Sequence, residues 1–156
     1  MSMPEILANI VSDEEKVARV IFLPSYIYNG RVAPTAFRWE ILPSGDAEDY
    51  ISVLRYHSGY SIDEQTKHFR ARTEGDSRYG YAVLEAKDIR SIKNNFVLEN
   101  RVGIDVLPFP SKRLPNHAGI VVDVNDNRVT ASTPVTPELM FIQKMLASVC
   151  NDIVKF

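Results

Sequence analysis

The sequence lacks most of the features that identify a reaction or a cofactor. It has a single cysteine, Cys150, among 156 residues, so an internal disulfide is excluded. It contains no CxxC pair and no two histidines four residues apart, which argues against a zinc site. No Walker loop, GxGxxG or GxSxG motif is present. We therefore expect neither a metal nor a cofactor.

Long apolar runs and an excess of positive charge are also missing. No run approaches the roughly 20 residues of a membrane span, and the stretch before Lys16 carries acids in place of the basic, apolar leader of a signal peptide. Eighteen Lys and Arg residues against 20 Asp and Glu residues give a net charge of −2. Any nucleic-acid contact therefore requires a local basic patch. We expect a soluble, cytoplasmic protein.

The composition that is present is typical of one globular domain, spanning residues 1–156. Of the residues, 45% are hydrophobic and 24% are charged. Hairpin-length connections without regular βαβ spacing favour an α+β fold, with a largely antiparallel sheet and a long C-terminal helix packed on it. Apolar periodicity predicts helices at 13–23, 62–72, 86–92 and from 137 through 153, and strands at 35–42, 50–56, 79–84, 103–107 and 118–124.

Short residue patterns predict where the helices begin, and two of the predicted strands are expected to form a hairpin. Ser12 stands three residues before Glu15, the spacing of a capping box, and the same pattern recurs at 61 and 64. Thr136 followed by proline predicts the start of the last helix. The strands at 35–42 and 50–56 are expected to pair with each other. The apolar face of the last helix consists of Leu139, Ile142, Leu146 and Val149.

His117 is the best local candidate for a functional group. It stands at the mouth of a predicted strand, after a loop that contains three prolines and the basic residues Lys112 and Arg113. Loops at strand mouths carry function more often than core positions do, and imidazole titrates near neutral pH. The alternative is a loop histidine that only satisfies backbone groups beside Asn116. Both interpretations remain open from the sequence.

His57 is the second catalytic candidate. It follows Arg55 by two residues, so both side chains leave the same face of one strand and together suit holding a phosphate and moving a proton. The alternative is a strand-end histidine that hydrogen-bonds the turn. His68 lies in a predicted helix and is expected on the surface. Cys150 is expected to be a small buried thiol on the apolar side of the last helix.

If the basic residues gather at the sheet end that holds His117, they form an anion-binding site built from arginine forks and lysine point charges. Acidic residues are interleaved with them, so a neutral, salt-bridged surface is equally compatible. The basic set is Arg78, Lys87, Arg90, Lys112 and Arg113, and the acidic set is Glu85, Asp88 and Asp105. The ligand-binding candidates are Arg55, Arg90, Lys112 and Arg113, beside the catalytic candidates His57 and His117.

The order of several short blocks resembles a family of small uncharacterised bacterial proteins. The matching blocks are VAPTAF at 32–37, ISVLR at 51–55, GYAVLEAKDIR at 80–90 and PNHAGI at 115–120. The insert at 91–101 is longer than in that pattern. No activity is attached to the family, so the resemblance implies no catalytic role. It implies that the positions to test first are Arg55, Asp88, Arg90 and His117.

Three classes of function fit these observations. The first is a small accessory or protein-interaction domain without enzymatic activity, which the lack of a nucleophile, metal or cofactor signature favours. The second is a metal-free nuclease with His57 and His117 as base and acid. The third binds a nucleotide or nucleic acid with the same residues and without turnover. The sequence favours the first class, with a protein partner of unknown identity.

Overall fold

The computed structural model describes residues 7–57, 59–67, 69–71, 73–96 and 101–156. Its strands are β1 (Lys16–Leu23), β2 (Ile27–Tyr28), β3 (Arg31–Val32), β4 (Ile51–Arg55), β5 (Ser77–Glu85), β6 (Val102–Pro108), β7 (His117–Val124), β8 (Asn127–Arg128) and β9 (Asp152–Lys155). Its α-helices are α1 (Ile62–Thr66), α2 (Ala86–Ser91) and α3 (Pro137–Ser148), and short 3-10 helices cover Pro34–Ala36 and Ile92–Asn95.

Seven of the described strands form one antiparallel sheet. Its order is β6-β7-β4-β1-β5-β9, with β8 paired to β7. The strands β2 and β3 form a separate hairpin, and its turn residues Asn29 and Gly30 both have the positive φ that an Asn-Gly turn supplies. The expected α+β fold with a largely antiparallel sheet and a C-terminal helix is confirmed.

The predicted helix at 13–23 is wrong, because most of this segment is β1, a central strand between β4 and β5. The Glu15 carboxylate does reach back to the N–H of Ser12, at 2.6 Å, but no helix follows. Residues 17–22 are all buried. Periodicity does not separate such a run from a buried helix, since a strand covered on both faces reads as continuously apolar. Three of the six residues are β-branched, which favours the strand.

The predicted strand at 35–42 is also wrong, and so is its pairing with 50–56. The segment begins with the 3-10 helix Pro34–Ala36 and then runs irregularly. Phe37 is fully buried whereas Ile41 is 56% exposed, so the alternation of apolar residues does not mark one buried face. The strand predicted at 50–56 forms as β4, which pairs with β1 and β7.

The helix α1 ends at Thr66 and not at 72. Its start is confirmed, since the Ser61 hydroxyl accepts the N–H of Glu64 at 3.2 Å. His68 and Arg72, which the sequence places in the same helix, lie outside the described residues. Among the helices of the described chain, none is both long and apolar enough to cross a membrane.

The helix α3 begins at its predicted cap, Thr136, but ends at Ser148, so the predicted extension through 153 is wrong. The N–H of Asn151 donates to a β5 carbonyl at 2.9 Å and draws the chain onto the sheet. Ile153 therefore lies in β9, opposite Ala82. The last residues extend the sheet by an edge strand.

The two faces of the sheet are covered unequally. The helix face, which carries Ile51 and Val53 of β4, belongs to one large apolar cluster with the buried side of α3. The cleft face, which carries Ser52 and Leu54, has only a small buried cluster, to which α1 contributes Ile62. The cleft face is therefore the less covered side of the sheet. The buried residues of α3 are Leu139, Ile142 and Leu146.

Candidate functional site

His117, the first residue of β7, lies opposite Leu54 of β4 and therefore projects from the cleft face. Its Nδ1 is 3.0 Å from the Phe109 carbonyl oxygen, and its Nε2 is 2.7 Å from the Ser52 hydroxyl oxygen. A carbonyl oxygen only accepts, so Nδ1 carries the proton of the neutral ring. Nε2 then accepts a hydrogen bond from Ser52. Burial lowers the pKa of His117 below its ordinary value, which keeps the ring neutral.

One aromatic ring contacts the His117 imidazole, and a second ring packs on the first. Tyr50 contacts it edge to face at 5.6 Å between ring centroids, and Phe109 packs on Tyr50 at 4.8 Å. Gly119 makes this packing possible, because a Cβ at that position would lie 2.7 Å from the Phe109 ring and 2.8 Å from Tyr50. The Tyr50 contact and the hydrogen bonds at both ring nitrogens together hold the imidazole in one orientation.

Asn116 fixes the loop that precedes His117. It is fully buried, and its side-chain amide donates to the Arg55 carbonyl oxygen at 2.7 Å and to the Gln65 side-chain oxygen at 3.1 Å. These bonds join the end of β4, the helix α1 and the start of β7. The backbone contacts predicted for the neighbourhood of His117 are thus made by Asn116 as well as by the imidazole.

Arg55 lies on the helix face, opposite to His117, and is buried to 1% exposure. Its Nε and Nη2 each bond the Glu15 carboxylate at 2.9 Å. Its remaining bonds go to carbonyl oxygens of the N-terminal segment, at Leu7, Asn9 and Ile10. The structure gives this guanidinium the role of fastening the N-terminal segment to the sheet.

Arg90 fastens the same segment from α2. Its guanidinium forms ion pairs with Asp13 and Asp105, each at 2.8 Å, and donates to the carbonyl oxygens of Val11 and Val106. Two other members of the predicted basic cluster are also ion-paired: Arg78 with Asp63 and Lys87 with Glu85. For these three residues the structure shows the salt-bridged surface that the sequence left as an alternative.

His57 is exposed at the end of β4, where its Nδ1 accepts the N–H of Gly59 at 3.2 Å and its ring contacts Tyr60. Among the described residues, no hydrogen bond or ring contact joins His57 to His117. Lys112 and Arg113 are exposed in the loop before β7. The structure therefore does not bring the two histidines and the four basic candidates into one site.

A cleft of about 340 Å³ opens on the cleft face where the β1–β4 ladder ends. That ladder has only two pairs, Val17 with Arg55 and Ala18 with Leu54, and the two strands are unpaired with each other beyond Ala18. The volume suits a small ligand or a short segment of chain. Among the described residues that line it, the apolar ones include Ala18, Val20, Phe22, Leu54, Phe69 and Leu114.

Arg19 lines the cleft, and its guanidinium bridges β1 to Ser52 of β4 at a point where these two strands are no longer paired. It is only 7% exposed, and it donates from Nε to the Ala36 carbonyl oxygen at 2.8 Å and from Nη1 to the Ser52 carbonyl oxygen at 2.9 Å. Within the described part of the chain no carboxylate pairs with it. The Tyr26 ring faces its guanidinium at 5.9 Å. A buried cation without a carboxylate is costly and so indicates a site for negative charge.

Two more arginines, Arg70 and Arg113, line the same cleft, are exposed, and form no ion pair with any residue that the structure describes. Two acids, Glu40 and Glu48, also line the cleft. Glu40 is ion-paired with Arg38 at 3.3 Å and accepts the Tyr26 hydroxyl at 3.1 Å. The lining of the cleft is therefore mixed in sign, and none of the carboxylates that the structure describes forms an ion pair with its arginines Arg19, Arg70 and Arg113.

The sequence singled out His117 and Arg113 but not Ser52 or Arg19. Arg19 lies inside the segment predicted as a helix, so its position between two strands was not foreseeable. Ser52 is a small polar residue between two apolar residues of its strand, and such residues usually have a hydrogen-bond partner when the strand is buried. That signal points to Ser52, although it does not identify His117 as the partner.

Among the residues that the structure describes, no group of three or more His, Cys, Asp or Glu side chains is placed to hold a metal ion. Comparison of the chain with protein-family models, with curated proteins and with solved structures gave no match. The cleft and the residues around it are therefore the features that bear on function.

Proposed function

We propose that the protein is a small interaction domain. It binds an acidic segment of a partner protein in the cleft described above. The observation that carries this proposal is the set of three arginines that line the cleft without a carboxylate partner among the described residues: Arg19, Arg70 and Arg113. We also propose a bacterial origin and a cytoplasmic location, from the resemblance and from the single cysteine.

The arginines suit a carboxylate. A guanidinium binds a carboxylate through two parallel N–H···O bonds, which makes such contacts both stronger and more directional than neutral hydrogen bonds. Arg19 is held in place by two backbone carbonyl oxygens, so little side-chain entropy is lost when a ligand binds it. Arg70 and Arg113 lie at the exposed side of the cleft and attract negative charge toward it.

The other lining residues favour a peptide over a polyphosphate. Glu40, which is ion-paired with Arg38, and Glu48 add acidic groups to the lining, which disfavours a polyphosphate more than a peptide that brings single carboxylates to the arginines. The apolar lining, which includes Leu54 and Leu114, suits aliphatic or aromatic side chains of the same segment. A segment with alternating acidic and apolar residues matches both features.

The test is a selection of random peptides, displayed on phage, against the immobilised full-length protein. We expect a consensus that combines Asp or Glu with apolar residues. A selection without an acidic consensus would contradict the proposal. Titration with ATP supplies the competing outcome: saturable ATP binding together with no selected peptide would favour the nucleotide-binding function that the sequence left as an alternative.

Matched variants locate the binding. The selected peptide is titrated calorimetrically into the wild type, into Arg70→Ala/Arg113→Ala and into Lys112→Ala. Lys112 is exposed and adjacent to Arg113, but it is not among the described residues that line the cleft. We expect the double variant to lose about tenfold or more in affinity, and Lys112→Ala to bind as the wild type does. Equal affinities for all three proteins would overturn the assignment.

A further inference from the structure

Ser52 and His117 form a pair whose geometry matches a nucleophile and its base. The Ser52 hydroxyl oxygen lies 2.7 Å from Nε2 of His117, and Nδ1 is oriented by the Phe109 carbonyl oxygen at 3.0 Å. A hydroxyl nucleophile needs a base within about 2.6–3.2 Å, and that base needs a third group that fixes its tautomer. Both conditions hold here, with a backbone carbonyl in the third role.

The pair has access to a ligand space. Ser52 itself lines the cleft, whereas the imidazole lies behind it, between Tyr50 and the loop that contains Phe109. The ring is neutral and carries its proton on Nδ1, so Nε2 is free to take the hydroxyl proton. Arg19, which donates to the carbonyl oxygen of Ser52 at 2.9 Å, places a positive charge beside the nucleophile.

We infer that Ser52 and His117 are the nucleophile and general base of a hydrolytic activity toward carboxylic esters bound in the cleft. This step shares the cleft with the proposed binding function. Only the preference for an ester that carries a carboxylate rests on that function, because that preference comes from the arginines.

The chemistry balances with water as the second substrate. Ser52 Oγ attacks the ester carbonyl carbon while its proton passes to Nε2 of His117, and the carbonyl electron pair moves onto oxygen. Collapse of this tetrahedral species expels the alcohol oxygen, which takes the proton from Nε2 and leaves an acyl group on Ser52. Water then attacks the acyl carbon and gives a proton to Nε2. That proton returns to Ser52 Oγ as the acid leaves.

The test is covalent labelling of the full-length protein with an alkyl fluorophosphonate, read by intact mass and by peptide mapping. We expect one adduct, on Ser52, that Ser52→Ala abolishes and His117→Gln slows by on the order of 100-fold. No adduct, or an adduct only on another residue such as Ser111, under conditions that label a reference serine hydrolase would overturn the inference.

A second measurement covers the case in which His117→Gln does not fold. The labelling rate of the wild type is then followed from pH 5 to 9. Among the described residues, Tyr50 is the titratable side chain in contact with the ring. Burial, with the nearby Glu48 and Asp49, raises its pKa above 10.0, so it stays neutral in this range. We expect a constant rate at pH 7–9 that falls below pH 6.5. A rate that rises steadily to pH 9 would indicate hydroxide-driven reaction and would overturn the inference.

Ester turnover separates this inference from the binding proposal. The probes are the mono-4-nitrophenyl ester of glutaric acid, which carries a carboxylate, and neutral 4-nitrophenyl butyrate. We expect Ser52→Ala to remove hydrolysis of both, and Arg113→Ala to lower the ratio of kcat/KM for the glutarate to kcat/KM for the butyrate. Labelled Ser52 with equal rates on both esters would retain the nucleophile and contradict the anion preference. An unlabelled Ser52 with intact peptide binding would contradict the nucleophile and retain the binding proposal.

Discussion

Arg55 and His117 lie on adjacent strands of one sheet, but their side chains extend from opposite faces. His117 is paired with Leu54, one residue before Arg55, and side chains alternate between faces along a strand. One ligand cannot contact both groups across a closed sheet. Substitutions of the two residues are therefore expected to have different consequences, although both were candidates for the same site.

Replacing Arg55 should lower the free energy of unfolding. Arg55→Met removes the partner of the Glu15 carboxylate and leaves three backbone carbonyl oxygens without their donor. We expect a loss of about 3–5 kcal/mol in the free energy of unfolding, measured by urea denaturation. The control is Arg101→Ala, whose ion pair with Asp126 is exposed and should contribute under about 1 kcal/mol. Similar losses for the two variants would contradict the role assigned to Arg55.

The helix α3 should stabilise the fold through its buried face. Leu146 is fully buried, so Leu146→Ala is expected to cost about 2–5 kcal/mol. Met140 lies on the same helix but is 59% exposed, and Met140→Ala should change stability by no more than about half a kcal/mol. Thermal and urea unfolding of both variants test this difference. A reversed order would show that the opposite face of α3 is the packed one.

His117 should make stability depend on pH in a defined direction. Burial lowers its pKa below the ordinary 6.5, so the unfolded chain binds a proton more readily than the folded protein. The free energy of unfolding therefore falls as the pH drops through 6.5 toward the folded pKa, and this group has no further effect well above 6.5. Urea midpoints from pH 5 to 8 should show a steeper acid loss for the wild type than for His117→Gln. Parallel profiles would contradict the burial of a neutral ring.

Cys150 should react slowly with thiol reagents. Burial raises the pKa of its thiol to about 12, and the Sγ lies 3.5 Å from the Leu146 carbonyl oxygen. Because the thiolate is the reactive form, little of the side chain is nucleophilic near neutral pH. Labelling with a disulfide reagent at pH 8 should be at least about tenfold slower in the folded protein than in urea. Equal rates would show that Cys150 is open in the folded state.

The sequence predicted well those elements whose signals are local. The strands at 50–56, 79–84, 103–107 and 118–124 and the helix starts at Ser61 and Thr136 were recognised from alternation, turn residues and caps. Such features depend on residues within one turn or one strand. They also sufficed for the α+β class.

The errors occurred where long-range contacts decide the conformation. The segment at 13–23 has a capping signal and an apolar run, yet pairing with β4 and β5 makes it a strand. Ile153 continues the apolar spacing of α3, yet pairing with β5 places it in β9. Neither partner strand is adjacent in sequence, so no local pattern contains this information.

The candidate site shows the same division. His117 and Arg113 were recognised from their loop, because proline, histidine and basic residues are unusual in combination. The other residues of the site, Ser52 and Arg19, come from β4 and from β1, which the sequence predicted as a helix. Which face each candidate occupies depends on strand register, which is set by tertiary packing. The sequence therefore identified two residues of the site, but not the residues from other strands that lie beside them.

Mapping of the bound peptide by NMR tests the central claim most directly. Backbone amide shifts of the ¹⁵N-labelled protein are followed while the selected acidic peptide is added. We predict the largest shifts at residues lining the cleft, such as Ala18, Leu54 and Leu114, and none at the exposed apolar residues Met140 and Phe141 of α3. Shifts centred on α3, with the cleft residues unchanged, would contradict the claim that the cleft is the binding site.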